Sequence, residues 1–397
     1  MKTSRILVIN SGSSSLKFAV FEPPRSEVLL SGLAERIGKE NADLSMKLAD
    51  GHKWSKQLPI ANHEQALQAT LDLLAQYVPI ASLTGIGHRV VHGGEHFKES
   101  VLITEQVVDR IRRCNHLAPL HNPANIAGIV ALQEQLSELP QVAVFDTAFH
   151  QTLPPRAFTY ALPYAFYQEH GIRRYGFHGT SHRFVTQQTA RLLNKAVGEI
   201  NLVTAHLGNG CSASAVVKGQ SVDTTMGLTP LEGLVMGTRS GDVDPGILLY
   251  LHKTLAYSVE DINRLLNRKS GLLGISEISN DMRVLLKEQQ AGNKKAGLAI
   301  EIFCYRLAKC IASLAVAAYP LDALIFTGGI GENASAIRNN VCQQLQLLGI
   351  SIDAEANASH GQQPGGCISA QTSAVDVRVV PTNEELMIAM DTHELIS

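Results

Sequence analysis

The chain is 397 residues long, more than a single core usually supports, so two domains are expected. A formal net charge of −2 provides no basic field for nucleic acid or an anionic membrane, so an anionic ligand must be met by a local site. The longest apolar stretch, residues 310–321, is too short for a bilayer, and Asn10 interrupts the first apolar run too early for a secretory leader; a cytoplasmic protein with six reduced cysteines and a small-molecule partner is expected.

Residues 6–10 and 15–21 flank a polar tip carrying Gly12 and three serines, and read as a hairpin; residues 27–34 add a strand. Helical spacing runs over 62–77 until Pro79. The apolar strand around Ile86 then delivers Arg89, flanked by His88 and His92 and closed by Gly93 and Gly94. An arginine at the end of a buried strand needs a partner, either a structural carboxylate or an anionic ligand. Residues 105–114 and the segment beyond His121 read as helices. The apolar strand 141–145 ends in Asp146, and such strand ends are where open α/β sheets keep their ligands.

Pro154 and Pro155 break the pattern, so the first domain should end near residue 150. Residues 161–182 are dense in groups able to meet an anion: Arg173, Arg174, His178, Thr180, Ser181 and His182. A helix over 184–193 leads into 202–218, a strand, a turn bracketed by Gly208 and Gly210, and a returning strand. Amides without a neighbouring Cβ can converge on a phosphate there, although the same residues also make an ordinary hairpin turn. Residues 222–246 hold five glycines around one basic residue, Arg239, which reads as a site loop. Short helices over 247–251 and 259–266 precede a loop reaching Asp281, Met282 and Arg283. A long helix over 294–319, a strand over 323–327 running into the glycines of GGIGEN (328–333), a helix over 334–348, strands over 350–352 and 377–380, and a last helix capped at Thr382 or Asn383 complete the chain. Three strand-to-glycine tips suggest a duplicated fold whose polar tips face one cleft.

No GxxxxGK[ST] occurs, which excludes a P-loop kinase. Gly329, Gly331 and Ala334, with Asp353 beyond, satisfy a dinucleotide spacing, but only some 45 residues follow Asp353, too few to complete that sheet.

Read together, VINSGSSSLKF, GHRVVHGGE, VFDTAFHQ, YGFHGTSH, HLGNG, TPLEGLVMGTRSGD, SGLLGISE, FTGGIGEN and PTNEELMIA resemble the acetate and propionate kinase family over essentially the whole chain. The resemblance implies an α/β fold of two ribonuclease-H-like domains of duplicated plan with a nucleotide cleft between them. Residues 1–150 would form the first, residues 151–381 a nucleotide-binding and dimerisation domain, and residues 382–397 a helix packing back on the first; the molecule would be a homodimer. The implied reaction moves the γ-phosphoryl group of ATP reversibly to acetate, giving acetyl phosphate and ADP, with propionate a poorer acceptor and Mg²⁺, or Mn²⁺ in its place, as cofactor.

Position by position, the resemblance puts the metal at Asn10 and Glu384 and Lys17 near the nucleotide phosphates. His206, Leu207, Gly208, Asn209 and Gly210 would lie along those phosphates. Asp281, Met282 and Arg283, with Gly329, Ile330, Gly331, Glu332 and Asn333, would embrace the nucleoside. Arg89 becomes the clamp on the acceptor carboxylate, Val91, Leu120, Phe177 and Pro230 the walls of its methyl pocket, and Asp146, His178 and Arg239 the catalytic trio. Cys211 departs from the family pattern, where other small residues follow the turn.

A carboxylate acceptor is already ionised at neutral pH, so the chemistry depends on charge neutralisation and placement more than on a base. Asp146 is accordingly expected to order a metal-bound water or Arg239. A strand period of two would set Arg89 and Val91 on one face, so that the stiff valine limits the acid's alkyl tail. Three alternatives stay open: a propionate kinase; a sugar-type kinase, which needs an aspartate base and a polar pocket; and a non-enzymatic ATP-gated module of the same fold.

Overall fold

The computed structural model describes residues 4–12, 14–119, 121–362 and 364–397. The chain divides into two compact units, one built from residues up to Phe149 and from Asn383 onward, the other from His150–Thr382. The first carries strands β1 (Ile6–Ser11), β2 (Ser15–Phe21), β3 (Val28–Glu35), β4 (Lys39–Leu48), β5 (Lys53–Ile60), β6 (Gly85–Val90), β7 (Val101–Leu102) and β8 (Gln141–Phe145), in the order β5-β4-β3-β2-β1-β6-β8-β7. The second carries β9 (Asn201–Leu207), β10 (Cys211–Val217), β11 (Gln220–Thr224), β12 (Ala323–Thr327) and β13 (Asp376–Val379), in the order β11-β10-β9-β12-β13.

Each sheet has an antiparallel meander on one side of its first strand, β1-β2-β3 or β9-β10-β11, and two parallel strands on the other. That is the ribonuclease-H-like order twice over, with β4, β5 and β7 as additions to the first copy. The parallel strands need long crossovers, and helices cover both their faces, which is why β8 (QVAVF) and β12 (ALIFT) are buried at every position.

Several elements differ from the sequence reading. Residues 39–60, given no element there, form the β4–β5 hairpin, whose alternation of buried Ala42, Leu44 and Met46 is masked by the polar residues between them. The strand expected over 350–352 is a single bridge, Ile352 to Ser369. GGIGEN is not a loop tip but a helical turn, Gly328–Asn333, and the loop expected before Asp281 contains the helix Gly271–Ser276. A further helix, Met282–Gln290, starts from the cap Asp281.

The last helix, Glu384–Ile396, is capped by Asn383, whose side chain accepts from the Leu386 amide at 2.9 Å. It lies on β1, β6 and β8. Two glycines in β6 permit this: a Cβ at Gly85 would stand 2.6 Å from Ile396 Cδ1, and one at Gly87 2.6 Å from Ile388 Cγ2. The helix therefore rests on bare backbone, and its first turn brings Glu384 and Glu385 to the ends of the central strands. Among the described residues no helix is long and apolar enough to cross a membrane.

Candidate functional site

In the first unit, β6 and β8 run side by side and end together, the Asp146 amide donating to the Val90 carbonyl at 3.0 Å. Their ends deliver Arg89 and Asp146, which pair through two bonds, Nη2 to Oδ2 at 2.6 Å and Nε to Oδ1 at 2.9 Å. The remaining arm of Arg89, Nη1, donates to Asn10 Oδ1 on β1 at 3.3 Å. Of the two partners left open for Arg89, the fold supplies the carboxylate, and both oxygens of Asp146 are engaged by it.

Burial opposes the Arg89 charge, but Asp146, Glu384 and Glu385 more than offset it and keep the group protonated. Burial pushes the Glu384 carboxyl up to about 7, with Arg89 and Lys17 opposing the rise and Asp146 and Glu385 adding to it. Lys17, exposed on β2, lines a groove of about 580 Å³ with Asn383 and Glu385.

Two asparagines of the helix Asn122–Gln135 fix the end of β6. Asn125 accepts from the Val91 amide at 3.1 Å and donates to the Ser11 carbonyl at 2.7 Å, while Asn122 accepts from the His92 amide at 3.1 Å and donates to its carbonyl at 2.9 Å. Because β6 stops at Val90, the period-two argument that set Val91 on the face of Arg89 does not reach it; Val91 is buried just past the strand. Leu120 lies outside the described residues.

In the second unit the β9–β10 turn closes through the Gly208 amide on the Gly210 carbonyl at 3.0 Å. A Cβ at Gly210 would stand 2.5 Å from Arg239 Nη2 and 3.3 Å from His178 Nε2, so these two groups converge on the bare turn and a side chain there would push the guanidinium aside. Arg239 donates through Nη1 to the Pro230 carbonyl, and no acid pairs with it among the described residues. Burial lowers its pKa. His178, left-handed at φ +57°, precedes the helix Gly179–Leu192 and stacks on His206 with ring centres 4.4 Å apart. Phe177 is buried and Pro230 half-buried.

Beside the turn lies a cavity of about 650 Å³. Gly208 and Asn209 line it with Asp281, Met282 and Arg283, and Gly329, Ile330 and Asn333 close it. Asn280, Leu286 and Ala334 also line it, unforeseen from the sequence; Leu286 stands one helical turn after Met282, a spacing that becomes legible once the helix at 282 is recognised. Asn280 Nδ2 donates to Asn209 Oδ1 at 2.9 Å, and the Gly237 amide to the Asn209 carbonyl at 3.0 Å, joining three loops at one residue.

His206, Leu207, Gly210, Gly331 and Glu332 do not line this cavity. Leu207 and Gly331 are buried, and His206 Nδ1 lies 2.8 Å from Ser181 Oγ. Glu332 accepts from the amides of Gly328 at 2.9 Å and Thr382 at 3.1 Å, so its carboxylate braces the glycine turn. Arg338, fully buried, supports the same turn by donating to the carbonyls of Gly331 at 2.8 Å and Glu332 at 3.0 Å.

Arg174, expected to meet an anion, is instead held by Glu232 at 2.7 Å and by the Thr224 carbonyl at 2.7 Å, anchoring the loop that carries Pro230 and Arg239. Arg173 stacks on Phe158 at 3.7 Å.

The model of the acetokinase family matches residues 5–390. An acetate kinase of Chromobacterium violaceum is 51% identical over 392 residues, spanning 99% of this chain and 98% of its own. A solved propionate kinase of Francisella tularensis superposes with a TM-score of 0.94 at 48% identity, covering 99% of this chain and 100% of its own. A solved acetate kinase of Porphyromonas gingivalis gives 0.93 at 42% identity, with 99% and 100% covered.

Cys211 begins β10 directly after the turn, its thiol donating to the Gly208 carbonyl at 3.2 Å. Burial pushes that thiol up to about 12. A raised thiol pKa stabilises the fold below the unfolded value of ~8.5, and the contribution is lost as pH climbs toward the folded value. Iodoacetamide at pH 8 should therefore leave Cys211 unlabelled in the native protein. Urea unfolding should show stability falling above pH ~8.5, and Cys211→Ala should remove up to ~1.4 kcal/mol of that loss per pH unit. Rapid native labelling of Cys211 would contradict its placement under the turn.

Proposed function

The chain belongs to the acetokinase family, whose model matches nearly its whole length, and on that premise we propose that it transfers the γ-phosphoryl group of ATP reversibly to acetate, giving acetyl phosphate and ADP. The observation that carries this reading is the convergence of Arg239 Nη2 and His178 Nε2 on the bare Gly210 backbone, with no acid paired to that arginine among the described residues. Such a grouping suits a phosphoryl group in flight, whose charge spreads over three oxygens and needs several donors at once. The cavity between Asn209, Asp281 and Gly329 takes the nucleoside.

Arg89 receives the acceptor carboxylate through Nη1, since Nε and Nη2 are committed to Asp146. Asp146 then serves by holding Arg89 rather than as a base, which suits an acceptor already ionised and weighs against a hydroxyl-phosphorylating sugar kinase.

Magnesium, or manganese in its place, is the proposed cofactor, held by Asn10 and Glu384. The donors fit: both are hard oxygens, and Glu384 stands where three carboxylates face only two cations. Among the described residues no three His, Cys, Asp or Glu could hold an ion by themselves, so phosphate oxygens and water would complete the shell. Bound there, the ion supplies charge neutralisation on the nucleotide phosphates.

A second copy of this chain is the proposed partner. Ile247, Leu249, Tyr250, Leu255, Tyr257 and Val259 leave an apolar face exposed around the helix Pro245–Lys253. Light scattering of the purified protein should give a dimer mass, and a monomer would refute this.

Arg239→Ala should lower kcat by about two to four orders of magnitude with a much smaller change in KM for ATP, because its donors act on transition-state charge. Arg89→Ala should instead raise KM for the acid, and the reverse pattern would exchange the two roles.

Trapping the acyl phosphate with hydroxylamine should show product with acetate and ATP and none without an acceptor. Propionate should be used about ten- to two-hundredfold less well in kcat/KM, the range one methylene commands in an apolar pocket. Val91→Ala should narrow that ratio. If it does not move, chain length is limited elsewhere; if propionate wins in the native enzyme, the acceptor assignment becomes that of the Francisella tularensis relative's name.

A further inference from the structure

Behind His178 lies a chain of buried hydroxyls and imidazoles that the proposed reaction does not itself use. Ser212 Oγ is 2.9 Å from His178 Nδ1 and 2.8 Å from His182 Nε2, and His182 Nδ1 is 2.7 Å from Thr204 Oγ1. Ser212, His182 and Thr204 are wholly shielded from solvent. A serine hydroxyl has one proton and two lone pairs, so the two histidines cannot both receive from Ser212, and the order of protons along the chain must run one way or the other.

Thr204 sets the direction. Its hydroxyl donates to the carbonyl of Ser214, its cross-strand partner in the β9–β10 ladder, at 3.4 Å. It is thereby left to accept from His182 Nδ1–H. Burial foremost, then the nearness of His150 and His206, lowers the His182 pKa well below the ordinary histidine value, so this ring is neutral and carries only that proton. Its Nε2 accepts from the Ser212 hydroxyl, and the Ser212 lone pair is left for Nδ1–H of His178.

We propose that Ser212 and His182 are positioning residues that hold neutral His178 as its Nδ1–H tautomer, so that His178 Nε2 carries a proton only when the ring is an imidazolium. The proposal rests on the kinase reading for its consequence: a His178 that donates from Nε2 to a phosphoryl oxygen brings a full positive charge along with the hydrogen bond. Nothing is transferred along the chain, which passes orientation and no proton. Arg239 Nη2 faces the same turn as Nε2, and His206 stacks on the ring, so the relay aims His178 at the place where the arginine also arrives.

Nitrogen-15 NMR of the full-length, histidine-labelled enzyme tests this at a pH where His178 is neutral, its signal assigned by loss in His178→Asn. The expected native spectrum has the His178 proton on Nδ1. Ser212→Ala should shift the ring toward Nε2–H. Thr204→Val, three hydrogen bonds from the His178 ring, should do the same, since it removes the acceptor that keeps His182 from reversing. An Nε2 proton in the native enzyme, the outcome of the opposite order of donors, overturns the proposal, as does an unchanged tautomer in both variants.

In acetyl phosphate formation, Ser212→Ala should lower kcat about tenfold or more with KM for ATP held within about twofold. A KM increase with kcat intact overturns the positioning role. Native enzyme that shows the Nδ1 proton yet never phosphorylates acetate refutes the proposed activity and leaves the relay standing.

Discussion

A guanidinium cannot sit at the end of a buried strand without a counter-charge, and the Arg89–Asp146 pair is where the first unit meets that demand. The partners come from adjacent parallel strands that end together, so the pair is fixed by sheet register rather than by flexible loops. Its fork geometry leaves one arm of Arg89 directed to Asn10 and gives the surrounding acids a positive centre. The last helix can bring Glu384 and Glu385 into that field only because Gly85 and Gly87 let it lie on bare strand. Remove the arginine, and three carboxylates crowd against Lys17 alone.

The second unit solves the opposite problem. Arg239 has a carbonyl partner and no acid among the described residues, and Gly210 yields the space into which both it and His178 reach. An arginine whose charge is already matched has little left for a ligand; one held only by a carbonyl keeps most of it. The contrast fits the proposed roles, Arg239 on the moving phosphoryl group and Arg89, through its one remaining arm, on placing the acceptor. The loop bearing Arg239 is itself steadied by Arg174 and Glu232, so a second arginine is spent on architecture to leave the first one available.

Much of this was legible in the chain. A charged residue closing an apolar strand points to a site, and that logic singled out Arg89 and Asp146, which the fold pairs with each other; glycines after strands found the β9–β10 turn and, from the echo, the duplicated plan. It could not find pairings across long separations. Glu232 lies far along the chain from Arg174, and so Arg174 read as an anion ligand. Asn122 and Asn125 looked like ordinary helix residues until their bonds to the end of β6 were seen. Glycine's poor helix propensity hid the turn Gly328–Asn333, which is stabilised by the side chain of its own Glu332 and from outside by Arg338. The missing helix at Met282 in turn concealed Leu286 and Asn280 as cavity residues. The period-two argument for Val91 lapses for a narrower reason: strand periodicity holds only while the strand lasts, and β6 ends one residue earlier.

The account stands or falls on the Arg89–Asp146 pair being the fixed point of the proposed acceptor side. A double-mutant cycle of Arg89→Met, Asp146→Asn and the combined variant, read as unfolding free energy in urea, measures that directly. If each partner exists to neutralise the other, either single change strands a poorly solvated charge or an unmet fork. The double variant should then be less destabilised than the sum of the singles by about 2 kcal/mol or more. Single effects that add to within about 0.5 kcal/mol would show two independent residues and contradict the account.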